Sequence, residues 1–359
     1  MLSSSDSTRV NLKLLELLNA ILQRGGVAVC ETACLLGVIP AVLRFTEPHL
    51  PQGTRLEAAR FIHTMCTRSV LTLQMFVACY GLPALVRLLL SPAESHELVL
   101  FSIDAMKSVL DMKGHSPRND LCRTFVELGV LELLMHALHE INAKHPGHAE
   151  RASEIFLLFS CADTVVKAQI ATRLVLPGLI RVVERPHEFG PEVVLKLLRC
   201  IKHLCMGDAS HMEALQRAKA VPTLVAMLKL TQAQAHAMSS WAEMRNVCVN
   251  ALYLLCKISR SRQEEAAING VLPPLQALIE QGSPLKQFAL PIVCDIAKAS
   301  KRARAELKHH RGVQFYLGLL ATEFWQEAAL DALLVWLLDE GAYVSKVRER
   351  AAGRAEETR

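Results

Sequence analysis

Cysteine and histidine are the residue types in this sequence that most readily hold metals or act as nucleophiles, so their spacing is informative. The chain has 11 cysteines and 14 histidines in 359 residues. Cys200 and Cys205 lack the Cys-x2-Cys spacing and the second pair that zinc modules show. His309 and His310 are neighbours, and on a helix adjacent side chains diverge. We therefore predict no metal and no cofactor, with the cysteines serving as small core hydrophobes.

The sequence contains none of the motifs that mark common catalytic sites. We find no phosphate-binding glycine loop, nucleophile elbow, HExxH sequence or kinase catalytic loop. The net charge is only +5, so the overall charge does not indicate a nucleic acid as a binding partner. One basic run lacks the interleaved aromatics that stack on bases; it holds Lys301, Arg302, Arg304, Lys308 and Arg311. The chain is thus predicted not to be an enzyme and not to bind nucleic acid.

A short phrase recurs seven times and sets the organisation of the chain. Each copy has a glycine or alanine in an apolar turn, usually a proline, and then apolar residues at helical spacing. The copies end at positions 40, 83, 132, 177, 222, 273 and 315, so the intervals are 43, 49, 45, 45, 51 and 42 residues. A period of roughly 40 to 50 residues indicates stacked helical repeats.

Each interval divides into a short helix, a middle helix that begins at the phrase, and a longer third helix. Near the fifth copy the pattern predicts a middle helix over 220–230, a third helix over 243–258 and the next short helix over 261–268. Gly270 is predicted to end that short helix with a left-handed backbone, and Pro273 to lie in the first turn of the next one.

The composition agrees with helices that pack on helices. Hydrophobic residues make up 51% of the chain and aromatics only 5%, so leucine, alanine and valine must fill the core. We predict an all-α fold, an armadillo-type right-handed α-solenoid of about seven three-helix repeats. It is expected to form one domain over 1–344 with incomplete first and last units, followed by a charged tail, frayed or disordered, over 345–359.

The termini and the surface suggest where the chain works. No apolar run approaches the roughly 18 residues of a membrane span. The first ten residues lack a basic-then-apolar signal pattern. We therefore expect a soluble, cytoplasmic chain without a transmembrane segment. Uncovered apolar faces on the end repeats also leave self-association open.

In peptide-binding armadillo proteins, each third helix places a tryptophan and, four residues later, an asparagine in a concave groove. The tryptophan-like positions here align to Arg60, Asp104, Phe156, Arg199, Tyr253, Pro291 and Asp331. The asparagine-like positions align to Thr64, Ser108, Ser160, His203, Lys257, Asp295 and Val335. Without an asparagine ladder, a partner backbone cannot be held as it is in nuclear-import adaptors. An import-adaptor function is therefore disfavoured.

The middle of the predicted groove is rich in basic side chains, which would attract an acidic or phosphorylated segment. An ordinary solvated face is the alternative, because exposed charges need no partner to explain them. The candidate partner-binding residues are Arg60, Lys196, Arg199, Lys202, His203, Asn250, Tyr253, Lys257 and Asp295.

Several stretches of the sequence resemble one known family. They are VLKLLRCIKHL at 194–204, LQRA at 215–218, NALYLLCKI at 250–258, SPLKQFALP at 283–291, MFVACYGLP at 75–83 and SPRNDLCR at 116–123. These are similar to the carboxy-terminal armadillo-repeat region of plant MAP-kinase-kinase-kinase epsilon. They also resemble that region in the fungal serine/threonine kinases of septation initiation and mitotic exit.

The resemblance implies a regulatory region of a kinase. Members of the family carry an amino-terminal kinase domain, whereas no kinase motif occurs in this chain. The implied role is to recruit or restrain the kinase at a spindle-pole, centrosomal or division-site scaffold. The implied partners are that scaffold, a small GTPase and the kinase domain itself. The alternative is a free-standing armadillo adaptor that binds an acidic or phosphorylated peptide and has no kinase attached.

Overall fold

The computed structural model describes residues 4–90, 95–112, 118–234 and 239–340. These residues form 22 α-helices and two short 3-10 helices, with no strand among them, which confirms the all-α prediction. The chain divides into two compact units, Met1–Cys200 and Ile201–Arg359. One continuous domain over 1–344 stays a prediction. The predicted tail over 345–359 lies outside the described residues.

In the first unit, the first helix is broken by a kink at Gly26, which has φ of 66°. Groups of a short, a middle and a third helix follow it, as the repeat pattern predicted. The third helices are α3, α6, α9 and α13. The elements are α1 (Ser4–Leu35), α2 (Val38–Leu43), a 3-10 turn (Arg44–Thr46), α3 (Gln52–Arg68), α4 (Val70–Ala78), α5 (Leu82–Leu89), α6 (His96–Leu110), α7 (Arg118–Glu127), α8 (Val130–Ile141), α9 (Pro146–Ser160), α10 (Thr164–Ile170), α11 (Leu176–Val183), α12 (Pro186–Phe189) and α13 (Pro191–Cys205).

The second unit repeats the same order, and its third helices are α16, α19 and α22. The elements are α14 (Ala209–Arg217), α15 (Ala220–Ala233), α16 (Ser239–Cys256), α17 (Arg260–Ile268), α18 (Leu272–Glu280), α19 (Lys286–Ala299), α20 (Lys301–His309), α21 (Gly312–Leu319), a 3-10 turn (Glu323–Trp325) and α22 (326–340). Predicted helix starts agree closely at α15 and α17. The start of α16 lies four residues before the predicted one, because Ser240 and Trp241 are also helical and buried.

A residue with positive φ separates the short helix from the middle helix in most repeats. Gly37, Gly129 and Gly270 have φ of 74°, 75° and 80°, as expected for the residue best able to adopt a left-handed backbone. Pro273 is in the first turn of α18, where its missing N–H costs no helical hydrogen bond. The predictions for Gly270 and Pro273 are both confirmed.

In three other repeats, a residue with a side chain takes the left-handed backbone. Tyr80, Lys219 and Arg311 have φ of 60°, 59° and 55°. Gly81 follows Tyr80 with an ordinary φ of −71°, and an added Cβ there would lie 2.3 Å from the ring of Phe76. Gly81 therefore serves close packing, while Tyr80 makes the turn.

We expect Lys219→Gly to stabilise the second unit by about 0.5–1 kcal/mol. The left-handed backbone is strained for lysine but not for glycine, which outweighs the greater freedom of glycine in the unfolded chain. The Lys219 side chain is exposed, so its loss removes little packing. Gly129→Ala is the matched opposite change. It is expected to lower the free energy of unfolding by about 1 kcal/mol, because the left-handed backbone is strained for alanine while the added Cβ meets no other atom. Urea unfolding followed by circular dichroism measures both, and a destabilised Lys219→Gly variant would contradict the account.

The core consists of helix faces packed against neighbouring helices within each unit. α3 packs against α1 and α6, and α6 against α9; in the second unit α16 packs against α15 and α19. Fully buried Tyr316 illustrates how polar atoms are accommodated, since its hydroxyl donates to the carbonyl oxygen of Val293 at 2.6 Å. Such packing brings the third helices side by side within a unit.

Nine of the 11 cysteines are buried, and they are spread over both units. None forms a disulfide, and no group of three metal-ligating side chains occurs among the residues that the structure describes. Burial raises the pKa of the Cys200 and Cys248 thiols to about 12. These thiols pack as neutral, apolar groups, as the sequence predicted.

The first and last described helices leave apolar side chains exposed. On α1, Val10, Leu14 and Leu17 are each more than half exposed, and on α22 Leu330 and Leu334 are as well.

Among the described residues, no single helix is both long and apolar enough to cross a membrane. Two pairs of consecutive helices are long and apolar enough for a membrane span when taken together, but each pair is bent by more than 40°. They are Thr8–Leu35 with Val38–Thr46, and Val70–Ala78 with Leu82–Leu89.

Candidate functional site

The third helices of the first unit carry a ladder of paired charges. Arg60 on α3 pairs with Glu57 at 2.6 Å and approaches Glu97 on α6 at 3.9 Å. Its side chain is 41% exposed, so a partner can still reach it. The structure thus places this predicted site residue on an accessible face, already balanced by carboxylates.

Asp104 on α6 is the centre of the next part of this ladder. Its carboxylate lies 3.7 Å from His63 of α3 and 3.4 Å from His148 of α9, and it pairs with Arg151. Burial alone would raise the pKa of Asp104, but hydrogen bonds from His63 and Arg151 outweigh burial and lower it. The position that aligns with the groove tryptophan of peptide-binding armadillo proteins therefore holds a charged residue that links three helices.

Lys196 on α13 is far less available than the sequence suggested. The residue is only 9% exposed, and its Nζ lies 2.5 Å from Glu150 and 3.4 Å from Glu154. Glu154 in turn approaches Lys107 of α6 at 3.6 Å. Lys196 is thus neutralised by carboxylates of its own chain, and we now expect a structural role for it.

Phe156 and Ser160 do not face the groove. Both are fully buried, with 0% exposure, so the predicted alignment of α9 is wrong by two positions. Glu154 and Leu158 are half-buried and take the corresponding positions on the groove-facing side of α9. The run of apolar residues over 155–159 has no clear periodicity, which is why the sequence pattern could not fix this register.

Arg199, Lys202 and His203 lie on α13, where the boundary between the two units falls. All three are half-buried side chains. Arg199 belongs to the first unit and the other two to the second. Arg199 and His203 each already have a polar or ring interaction.

In the second unit, α16 and α19 present an aromatic and basic surface. The rings of Tyr253 and Phe288 meet edge to face with centroids 5.6 Å apart. The Nζ of Lys257 lies 5.8 Å from the centroid of the Tyr253 ring, within the range of a cation–π contact. Asn250 donates its amide to the carbonyl oxygen of Asn246, one turn back on the same helix. We call Asn250, Tyr253, Lys257 and Phe288 the α16–α19 surface.

Asp295 lies farther along α19 and is half-buried. Burial and the nearby charge of Asp331 raise the pKa of its carboxyl group, and Lys298 only partly offsets them. Lys298 also pairs with Asp331 of α22, so its charge is shared between the two carboxylates. Sequence reasoning missed Lys298, as it also missed His63 and Lys107; each lies three residues after an aligned groove position, which was the available signal. It missed Phe288 as well, which reaches Tyr253 only through the packing of α16 against α19.

The comparison with known proteins identifies the relatives of this chain. No family model matches the sequence. The chain is 37% identical over 338 residues to Cytokinesis protein sepH of Aspergillus terreus, covering 93% of this chain and 24% of that protein. It is 37% identical over 209 residues to MAP3K epsilon protein kinase 1 of Arabidopsis thaliana, covering 58% of this chain and 15% of that protein.

A third relative is Cell division control protein 7 of Schizosaccharomyces pombe, which is 29% identical over 344 residues, covering 94% of this chain and 31% of that protein. The chain therefore spans less than a third of the length of each of these three relatives.

Solved structures with the same fold are armadillo repeat proteins. A computationally designed armadillo repeat protein for modular peptide recognition superposes with a TM-score of 0.55 and 16% identity, covering 71% of this chain and 98% of that one. A designed armadillo repeat protein in complex with the peptide (KR)4 gives a TM-score of 0.51 and 19% identity, covering 71% and 99%. These structures confirm the predicted armadillo fold. The chain belongs to the family of sepH, MAP3K epsilon protein kinases and Cell division control protein 7, and it corresponds to one armadillo-repeat segment of those longer proteins.

Proposed function

We propose that this chain is a non-catalytic protein-interaction region that recruits or regulates a serine/threonine protein kinase of a cell-division cascade. The similarity to a MAP3K epsilon protein kinase supports the connection to a kinase. The similarity to a cytokinesis protein and a cell division control protein supports the connection to division. The repeat fold, which it shares with armadillo repeat proteins, presents surfaces for protein partners.

The α16–α19 surface is the observation that carries a binding role. Tyr253 and Phe288 supply an apolar contact, and Lys257 adds an exposed positive charge beside the Tyr253 ring. A segment with an apolar side chain next to carboxylates or phosphates fits this chemistry. The related (KR)4 complex shows a basic peptide on a designed armadillo protein. The charge of the surface in this chain favours the opposite sign of partner.

The proposed partners are a spindle-pole, centrosomal or division-site scaffold, a small GTPase, and the kinase domain that family members carry. The proposed location is the cytoplasm, with recruitment to the division site, spindle pole or centrosome. The remaining predicted site residues stay candidates for partner contacts within their own units: Arg60 and Arg199 in the first, and Lys202, His203 and Asp295 in the second.

We expect Lys257→Glu combined with Tyr253→Ala to weaken binding of an acidic peptide by about tenfold, because both a charge and an aromatic contact are lost. Fluorescence anisotropy with a labelled peptide that alternates glutamate with leucine measures the dissociation constant. Lys301→Glu is the matched control, since Lys301 is an exposed lysine on the short helix α20 of the same unit. Undiminished binding by the double variant would remove the α16–α19 surface as the site.

Recruitment is tested separately in dividing cells. A fluorescent fusion of the chain should concentrate at the division site or spindle pole, and the double variant should lose that localisation while Lys301→Glu keeps it. Reading the complete transcript upstream of Met1 tests the connection to a kinase. A complete open reading frame without a kinase domain would favour the free-standing adaptor instead.

A further inference from the structure

A cleft between the middle helices α18 and α21 contains none of the residues predicted for the site, and of its lining residues only Lys286, at the start of α19, comes from a third helix. Its volume is about 590 Å³, within the range of ligand-binding pockets. Ile279 of α18 and Phe315 and Leu319 of α21 line it, so part of its wall is apolar. Both helices belong to the second unit.

The rim of this cleft is predominantly basic. Lys286, His310 and Arg311 line it together with a single carboxylate, that of Glu280. Within the described part of the chain, Lys286 and Arg311 form no ion pair, whereas Lys298, Arg304 and Lys308 of the same unit are paired with carboxylates. The cleft therefore combines apolar contacts with an excess of positive over negative charge, which complements an anionic ligand with an apolar group.

One cleft residue is not favoured by folding alone. Gly318 lies inside α21, where alanine would stabilise the helix, and an added Cβ would meet no atom within 4 Å. Packing therefore does not require this glycine, and the lost helix propensity points to a function at the cleft. Arg311 makes the turn before α21 with φ of 55°, as Tyr80 and Lys219 do in other repeats, and it places an exposed side chain at the rim. Arg311 supplies a guanidinium to the rim, and Gly318 keeps the wall open.

We infer that the cleft between α18 and α21 is a second docking site, which binds an extended acidic peptide by an apolar side chain held next to aspartate or glutamate carboxylates. The apolar side chain packs against Ile279, Phe315 and Leu319. The carboxylates accept hydrogen bonds from Arg311 and Lys286 at the rim. Peptide recognition by an apolar pocket with a charged rim is a common mode of docking.

The test uses two substitutions that do not impair folding. Gly318→Leu fills the cleft from its open wall, and Gly318→Ala is the matched control that adds a single methyl group. Arg311→Gly removes the guanidinium while relieving the strained backbone, so it is expected to raise the urea midpoint of unfolding. A loss of binding by a variant that is more stable cannot come from misfolding.

Binding is measured by fluorescence anisotropy with labelled 12-residue peptides, in the full chain carrying Lys257→Glu so that the α16–α19 surface contributes little. The panel contains peptides that alternate glutamate with leucine or phenylalanine, the same peptides with lysine for glutamate, and the same peptides with serine for the apolar residues. We expect the acidic apolar peptides to bind, and both exchanged sets to bind at least about tenfold more weakly.

Gly318→Leu and Arg311→Gly are each expected to raise the dissociation constant by about tenfold, while Gly318→Ala stays within about twofold of the parent. Equal binding by the parent and by the Gly318→Leu, Arg311→Gly and Gly318→Ala variants would overturn the inference. A failure of every acidic apolar peptide to bind the parent would overturn it as well. Lys257→Glu acts only on the α16–α19 surface, so loss of binding there leaves the result at the cleft unaffected. The variants of the α16–α19 surface are compared in turn in chains that carry Arg311→Gly, in which the cleft binds weakly. Each proposal is thus tested with the other site disabled, and the two can fail independently.

Discussion

Replacing Phe156 by alanine is expected to lower the free energy of unfolding by about 3–5 kcal/mol, one of the largest effects available in this chain. Phe156 is fully buried in α9, among the largest side chains that are shielded from solvent. Truncation removes most of an aromatic side chain and leaves a cavity that neighbouring helices can only partly close. Urea unfolding followed by circular dichroism measures the loss.

Leu157→Ala provides the matched control, because Leu157 is the next residue of the same helix and is only half-buried. We expect its cost to be about 1 kcal/mol, in proportion to the smaller apolar area that it buries. If Phe156→Ala instead weakened peptide binding and left the unfolding midpoint unchanged, Phe156 would face the groove, as the sequence alignment first suggested.

The second large effect is expected for Lys196→Glu, at about 3–5 kcal/mol of lost stability. The change puts a third carboxylate beside Glu150 and Glu154 in a position that is only 9% exposed, where an unpaired charge is poorly solvated. The loss should shrink in high salt, because Glu150 and Glu154 are partly exposed and ions can screen the repulsion.

Two further variants separate charge from packing at this position. Lys196→Met keeps most of the buried stem without adding a negative charge, so it should cost about 1 kcal/mol or less. Lys144→Glu makes the same charge reversal at an exposed residue of the first unit and should be nearly neutral. Equal stability of Lys196→Glu and the parent would mean that Lys196 is open to solvent and available to a partner.

The helices could be predicted from the sequence because each turn has a strong local signal. A proline in the first turn and a glycine before it place the starts of α5 and α18 within a residue. Where a glycine has a neighbour that could also make the turn, the sequence could not predict which of the two residues adopts the left-handed backbone. At Tyr80–Gly81 and Arg311–Gly312 the glycine is required for packing, by contacts with Phe76 and Leu307 that only the folded chain creates.

The candidate site was less predictable than the fold. Tyr253 and Lys257 were found because they are four residues apart at the end of one predicted helix; in the structure Lys257 directly follows the last residue of α16. Phe288 is 35 positions away from Tyr253 and joins them only through the packing of α16 against α19. Lys196 was misjudged for a related reason. Its charge is visible in the sequence, whereas the two glutamates that neutralise it come from another helix, α9.

The buried cysteines give the protein a built-in reporter of local opening. A neutral, shielded thiol reacts with an alkylating reagent only after its helix has separated from its neighbours. Cys66, Cys122, Cys200, Cys248 and Cys294 belong to five different helices, α3, α7, α13, α16 and α19. The rate at which each thiol is labelled, read by mass spectrometry, therefore shows the order in which the repeats come apart, without any engineered probe.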